Sequence, residues 1–363
     1  MNASAPESTD VAVVGAGPIG LELAVALKRA GIDYLHFDGR QIGHTISWFA
    51  PGTRFFSSNE RIAIAGVPLQ TPDGGKCTRE QYLTYLRTVV QQFDLDVRTY
   101  EPVVGIERLP GGGFTLTTTP QGGRRHYRAR RIVLVTGGTD RPRRLDVPGE
   151  DLPHVNHYFD DPHKYFRKRV LVVGGKNSAV EAALRCHHAG AYVSLSYRRP
   201  KLPAKSIKYW LLPEINGLME SGRIPAFLGT IPTQITPTHV QLEPWADPEA
   251  QADPTFSFVA PKVRGRSVAA DFVLLLIGYR ADMSLCRMAG VQLVGPTETP
   301  SFDPHTMETN VPGVYVAGTA VAGTQDKYRV FIENCHVHVD RIVAALTGAP
   351  EPATPQPLVA PES

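Results

Sequence analysis

Two stretches of the chain run from a short apolar strand into glycines and on into a helical pattern: VAVVGAGPIGLELAVAL from Val11 and VLVVGGKNSAVEAAL from Val170. A strand that turns at once into a helix needs backbone positions that a side chain would block, so sterics dictate where glycine falls. In the first stretch Gly15, Gly17 and Gly20 form a complete Gly-x-Gly-x-x-Gly set, with Pro18 and Ile19 inside the turn. The first glycine permits the tight turn, the second lets backbone approach a pyrophosphate, and the third lets helix pack on strand. The anion would sit on the helix N-terminus. Asp38 closes the next apolar run, YLHFD, 18 positions past Gly20, where a carboxylate can accept hydrogen bonds from an adenosine ribose. A nucleotide-free unit whose glycines serve packing alone would leave Asp38 unexplained. Two such units in one chain point to two dinucleotides and to electron passage between them.

The second stretch departs from that pattern. Gly174, Gly175 and Ala179 suit the turn and the close helix contact, whereas Lys176 stands where a middle glycine admits the pyrophosphate, followed by Asn177 and Ser178. An ammonium there neutralises phosphate charge and partly offsets the side chain in the way. After the next strand-like run, AYVSLSY, come Arg198 and Arg199, where an NADH enzyme places an acid. A planar guanidinium holds a ribose 2′-phosphate by paired hydrogen bonds, so NADPH is expected rather than NADH. The plain alternative is a pair of solvated charges at a strand end.

The rest of the chain arranges itself around these motifs. Residues 1–140 open with the first unit and pass through the loop-rich ISWFAPGTRFFSSNERIAIAGVP to a helix over about 79–92. Thr78 and Gln81 announce that helix as a capping pair, and Tyr82, Leu86 and Val89 share one face of it. VVGIERLPGGGFTLTTT then alternates around a glycine cluster as hairpin strands do, and RIVLVTGG brings a buried strand out onto Thr136, Gly137 and Gly138. Residues 141–281 hold the second unit, entered through the Pro- and Arg-rich RPRRLDVPGED and left on the apolar DFVLLLIGY. Residues 282–347 carry GVYVAGTAVAG and the helix-like RVFIENCHVHVDRIVAAL and would complete the first domain; the Pro-rich 348–363 reads as a disordered tail. The expected class is α/β, with two Rossmann-like, three-layer ββα domains, one inserted into the other.

Composition narrows the function classes. A net charge of +3, from 38 basic and 35 acidic residues, implies no polyanion, and no apolar run nears the ~18 residues that span a bilayer. Neither nucleic acid nor membrane is therefore an expected partner. MNASAPESTD lacks a charged-then-apolar leader pattern, which makes the cytoplasm the expected compartment. Cys77, Cys186, Cys286 and Cys335 lie far apart with no Cys-x-x-Cys, so neither a disulfide scaffold nor a metal site is expected.

Longer strings carry a more specific signal: FFSSNERIAIAGVP at 55–68, HYFDDPHKYF at 157–166, VVGGKNSA at 172–179, SIKYWLLP at 206–213, LIGYRAD at 276–282 and FIEN at 331–334. Through them the chain resembles the flavoprotein disulfide reductases of thioredoxin-reductase type, and more closely the bacillithiol-disulfide reductase family. The resemblance implies a homodimeric FAD enzyme with an inserted NADPH domain. It assigns FAD to Gly15, Gly17, Pro18, Ile19, Gly20 and Asp38, to Gly43, His44 and Thr45 along the nucleotide, and to Thr136 and Gly137 beside the flavin. At Gly318 and Thr319 such flavoproteins usually place Gly-Asp; Thr319 keeps a hydroxyl and loses the charge, so weaker anchoring is expected.

The acceptor is less determined. Reduction of a disulfide by a flavin normally needs a cysteine thiolate beside the ring. The family that this chain resembles carries a single cysteine inside the first glycine motif, and Ile19 stands there instead. Cys335 is the best placed substitute and, with His338, the candidate catalytic pair: the resemblance sets its helix start against the flavin, and a helix N-terminus with His336 or His338 beside it would lower the thiol pKa. Cys77, Cys186 and Cys286 read as loop or packing residues, and His187 and His188 as a helix end. The leading expectation is electron transfer from NADPH through FAD to a small acceptor, a low-molecular-weight thiol disulfide such as bacillithiol disulfide. Reduction of ferredoxin, a quinone or another small redox partner, flavin monooxygenation and a non-catalytic redox sensor remain open.

Overall fold

A computed structural model describes residues 6–245, 265–325 and 329–350. The described residues divide into two compact units: one gathers those within 6–47, 52–141 and 279–350, the other those within 48–51 and 142–278.

In the first unit β1 (Glu7–Val14) leads through the glycine turn into α1 (Pro18–Arg29) and back to β2 (Tyr34–Phe37). Proline at the first helical position starts α1 without sacrificing a hydrogen bond, because that N–H has no partner within a helix. The helix is apolar on two sides for a physical reason. Leu23 and Leu27 pack with the strands, whereas Leu21, Ala24 and Val25 pack with the capped helix α2 (Arg79–Gln92). Each fully buried Leu contributes about 1.5–3 kcal/mol. The expected capping box is present in both directions, with Tyr82, Leu86 and Val89 fully buried below it. Four strands follow: β3 (Val97–Arg98), β4 (Val103–Arg108), β5 (Phe114–Thr118) and β6 (Arg125–Leu134), giving the order β3-β2-β1-β6-β5-β4. β1 is parallel to β2 and β6, β4 and β5 pair antiparallel as the expected hairpin, and β5 pairs antiparallel with β6 as well.

The second unit is built on β7 (Val155–Asn156), β8 (Arg169–Val173), α3 (Asn177–His188), β9 (Tyr192–Tyr197), α4 (Leu212–Glu220) and β10 (Ala226–Leu228). An antiparallel trio follows, β11 (Thr230–Ile235), β12 (His239–Pro244) and β13 (Arg266–Ala269), and then β14 (Phe272–Leu275) returns to the parallel sheet. The sheet order is β10-β9-β8-β14-β7, all parallel. Alternation along β8 explains the three layers: Val170 and Val172 face the helices, whereas Leu171 and Val173 face the antiparallel sheet. Both faces of the central sheet are covered, which is why its strands read as unbroken apolar runs.

The chain then rejoins the first unit. β15 (Val314–Val316) lies parallel to β6, and α5 (His336–Thr347) ends on a left-handed cap at Gly348. The expected α/β class with two Rossmann-like folds is the class found. Of the tail expected over 348–363, residues 351–363 lie outside the described residues.

Candidate functional site

Register gathers the first set of residues. Val14 stands opposite both Phe37 and Leu134, and Leu134 opposite Val316, so Gly15, Asp38, Thr136, Gly137, Gly318 and Thr319 all emerge beyond one edge of the parallel strands. Ligands of open α/β sheets bind at that edge. Gly15 has φ +115°, and a Cβ on it would fall 2.3 Å from the Val135 carbonyl oxygen; one on Gly20 would fall 2.0 Å from that of Gly15. A Cβ on Gly17, by contrast, would meet no atom within 4 Å. Gly17 is the N-cap of α1, and no side chain caps that end. Backbone N–H groups beside open space make an anion cradle that fits a pyrophosphate.

Asp38 is tied to the same turn. Its Oδ2 accepts from the Ala16 N–H at 2.7 Å and its Oδ1 from the Arg40 N–H at 2.7 Å. Gly43, at φ +65°, donates its N–H to the Ala16 carbonyl at 2.9 Å, bringing His44 and Thr45 to the turn. Burial, and secondarily Arg40, holds the His44 pKa down. Beneath the turn, His36 Nε2 lies 2.9 Å from the Gly15 carbonyl oxygen. Burial lowers the His36 pKa, so the neutral ring donates from Nε2 and braces the glycine turn. Sequence reasoning missed His36, because one histidine in an apolar strand carries no spacing signal.

Across the edge, Thr319 Oγ1 accepts from the Gly138 N–H at 2.9 Å, and the Gly318 N–H donates to His338 Nδ1 at 3.2 Å. Gly318, at φ +66°, packs against Ile19, whose Cβ would lie 3.5 Å from an added Cβ. His338 is an acceptor and therefore neutral; burial, then Arg341 and His336, pulls its pKa down to about 4. The expectation for Cys335 needs correcting. Cys335 is wholly buried and its thiol pKa is raised, by burial first and then by the charge of Glu22, whereas the helix N-terminus was expected to lower it. The desolvation of a thiolate outweighs a helix terminus. The other thiols follow: burial pushes Cys77 and Cys286 up to about 11 and Cys186 up to about 12.

The second unit repeats the geometry by itself. Val173 stands opposite Ser196 and Leu275, so the turn after β8 and the two arginines after β9 share an edge. Gly174 has φ +138°, and a Cβ there would fall 2.4 Å from the Leu276 carbonyl oxygen and 2.9 Å from Ala179 Cβ. One on Gly175 would fall 2.5 Å from the Tyr197 ring. Lys176 is the N-cap of α3 at φ −105° and ψ −172°, close to the extended geometry of Gly17 at φ −74° and ψ −177°. Any residue adopts that backbone, so the lysine costs space and no strain. As at α1, no side chain caps the helix. The Lys176 and Ser178 side chains are exposed, and Asn177 Oδ1 accepts from the Lys208 N–H at 2.6 Å. Arg198 is exposed and Arg199 half-buried.

Among the described residues no helix is long and apolar enough to cross a membrane, and no three His, Cys, Asp or Glu side chains are grouped to hold a metal.

The family model described as pyridine nucleotide-disulphide oxidoreductase matches residues 12–318. Bacilliredoxin reductase Bdr of Bacillus subtilis (strain 168) is 34% identical over 92% of this chain and 96% of its own. The solved bacillithiol disulfide reductase Bdr from Bacillus cereus is 33% identical, superimposes with a TM-score of 0.85, and covers 94% of this chain and 99% of that one. A ferredoxin–NADP reductase of Ignicoccus hospitalis is 26% identical over 85% of this chain and 89% of its own.

Proposed function

Since the chain belongs to the pyridine nucleotide-disulphide oxidoreductase family and groups within it with the bacillithiol-disulfide reductases, we propose that it passes electrons from NADPH through FAD to a low-molecular-weight thiol disulfide such as bacillithiol disulfide. It is an oxidoreductase that uses a flavin and a nicotinamide nucleotide. The observation that carries the finer reading is the repeated construction: in each unit a central parallel strand ends in a glycine turn that a Cβ would block and in a helix N-terminus that no side chain caps. An acid follows the first and a pair of arginines the second.

In this reading Gly15, Gly17, Pro18, Ile19 and Gly20 carry the FAD pyrophosphate on α1, and Asp38 orients the turn and meets the ribose. Gly43, His44 and Thr45 follow the nucleotide; Thr136, Gly137, Gly318 and Thr319 line the flavin. Gly174, Gly175, Lys176, Asn177, Ser178 and Ala179 carry the NADPH pyrophosphate, and Arg198 and Arg199 hold the 2′-phosphate. A flavin held by these residues would supply the redox chemistry between the nicotinamide and the acceptor. His338, neutral and engaged by Gly318, positions the turn bearing Thr319 rather than exchanging a proton. The inserted-domain boundaries near 140 and 281, a homodimer and a cytoplasmic setting belong to the same reading.

A second reading has its own support. All four cysteines are buried, each with a thiol pKa raised by burial, and Ile19 offers no sulfur. That favours an acceptor reduced directly by flavin, such as ferredoxin or a quinone. Anaerobic NADPH titration of the purified protein, then reoxidation by a panel of acceptors, tests both. Bleaching by NADPH and fastest reoxidation by bacillithiol disulfide supports the first reading; reoxidation by ferredoxin or a quinone with no response to the disulfide replaces it with the second.

A further inference from the structure

The loop after β9 carries two neighbouring aromatic residues, of which Tyr209 stands the more open to water. Tyr209 is 77% exposed and Trp210 38%, and their rings meet edge to face at 4.9 Å. A large ring held in water, as that of Tyr209 is, forgoes the stabilisation that covering it would bring. Its place in the fold indicates what covers it. The loop leaves the strand end at Arg198 and Arg199 and is tied back to the glycine turn, where the Lys208 N–H donates to Asn177 Oδ1 at 2.6 Å. Lys208 Nζ pairs with Glu181 Oε2 at 2.9 Å, one turn along α3, and lies 5.7 Å from the centre of the Trp210 ring. The aromatic residues are thus pinned next to the start of α3 by their neighbour. Between strand end and helix N-terminus runs the adenosine half of a dinucleotide, its 2′-phosphate at the first and its pyrophosphate at the second.

Resting on the NADPH reading of the second unit, we propose that Tyr209, backed by Trp210, is a stacking platform for the adenine base. Arg198, Arg199 and the helix terminus read the phosphates by charge, and the platform reads the base by its π face. The outcome is selectivity for an adenine dinucleotide over a nicotinamide carrier that lacks adenosine.

The test uses the flavin-loaded full chain, with calorimetric binding of 2′,5′-ADP and kinetics of flavin reduction by NADPH and by reduced nicotinamide mononucleotide. Tyr209→Ala, a change at an exposed position, is expected to weaken 2′,5′-ADP binding about tenfold and to cut the kcat/KM preference for NADPH over the mononucleotide by a similar factor. Tyr209→Phe, which keeps the ring, is expected to restore both. An unchanged Kd in Tyr209→Ala, or an equal loss with both reductants, overturns the platform while leaving the NADPH reading in place. If the unaltered protein binds neither NADPH nor 2′,5′-ADP, the NADPH reading falls and takes the platform with it.

Discussion

His336 and Glu22 form a charged pair between two helices: His336 Nδ1 lies 2.7 Å from Glu22 Oε2, and His336 Nε2 lies 2.9 Å from the Arg61 carbonyl oxygen. Both ring nitrogens face acceptors, so the ring carries two protons. Burial opposes that charge, but the hydrogen bond to Glu22 and its field more than offset it, and the His336 pKa is raised. Glu22 Oε1 also accepts from the Ala65 N–H at 3.1 Å. One imidazolium therefore fastens α1, the 61–65 segment and the start of α5.

This clasp makes stability pH-dependent with a definite sign. A group whose folded pKa exceeds its unfolded value contributes in full below the unfolded value, here the usual 6.5, and loses that contribution as pH rises through the folded value. His336→Ala is expected to cost about 1–3 kcal/mol in mildly acid solution. The Tm gap between variant and parent should narrow steadily as the buffer is taken above neutrality. A gap of constant size from acid to alkaline pH would count against a charged His336.

Thiol chemistry offers a second check. With pKa values of about 11 for Cys77 and Cys286 and about 12 for Cys186, on the order of one thiol in a thousand or fewer is ionised at pH ~8. Native protein is expected to give almost no reaction with Ellman's reagent over minutes, and all four thiols should react once guanidinium unfolds the chain. Rapid labelling of Cys335 in the native state, located by peptide mapping, would reverse the reading of that residue as packing.

What the sequence revealed and what it hid divide along a physical line. Gly15, Gly20 and Gly174 were legible because each answers a local steric demand written within a few residues. The capping pair of Thr78 and Gln81 was legible for the same reason. Asp38 was found by its distance from the turn, yet its bond to the Ala16 N–H depends on a loop closing over 22 residues. His338 reads in the sequence as a catalytic group, because nothing local shows that Gly318, 20 residues earlier, donates to it. At Cys335 the helix N-terminus is visible in the sequence, and the burial that raises the thiol pKa is not.

Gly174→Ala separates the two nucleotide sites. A Cβ at φ +138° and 2.4 Å from the Leu276 carbonyl oxygen forces the turn to move, at a cost of about 1–3 kcal/mol. The damage lies in the second unit, so bound flavin should keep its absorption and still be reduced by dithionite, whereas the rate of reduction by NADPH falls at least about tenfold. Stopped-flow measurement without oxygen decides it; an NADPH rate equal to that of the parent would exclude this turn as the nicotinamide nucleotide's seat.

Thr319 gives a prediction of the opposite kind, in which one substitution weakens and another strengthens. Thr319→Val strips the acceptor from the Gly138 N–H, leaving a donor without its partner at about 1–2 kcal/mol, or roughly tenfold in flavin affinity. Thr319→Ser keeps the oxygen and is expected to bind flavin as the parent does. Thr319→Asp supplies an oxygen for Gly138 and a second for a ribityl hydroxyl, with charge-assisted hydrogen bonds stronger than neutral ones, so its affinity should exceed the parent's. Reconstitution of stripped protein with FAD, followed by quenching of flavin fluorescence, ranks the four. An order in which valine matches threonine would show that the Gly138 contact contributes nothing to holding the flavin.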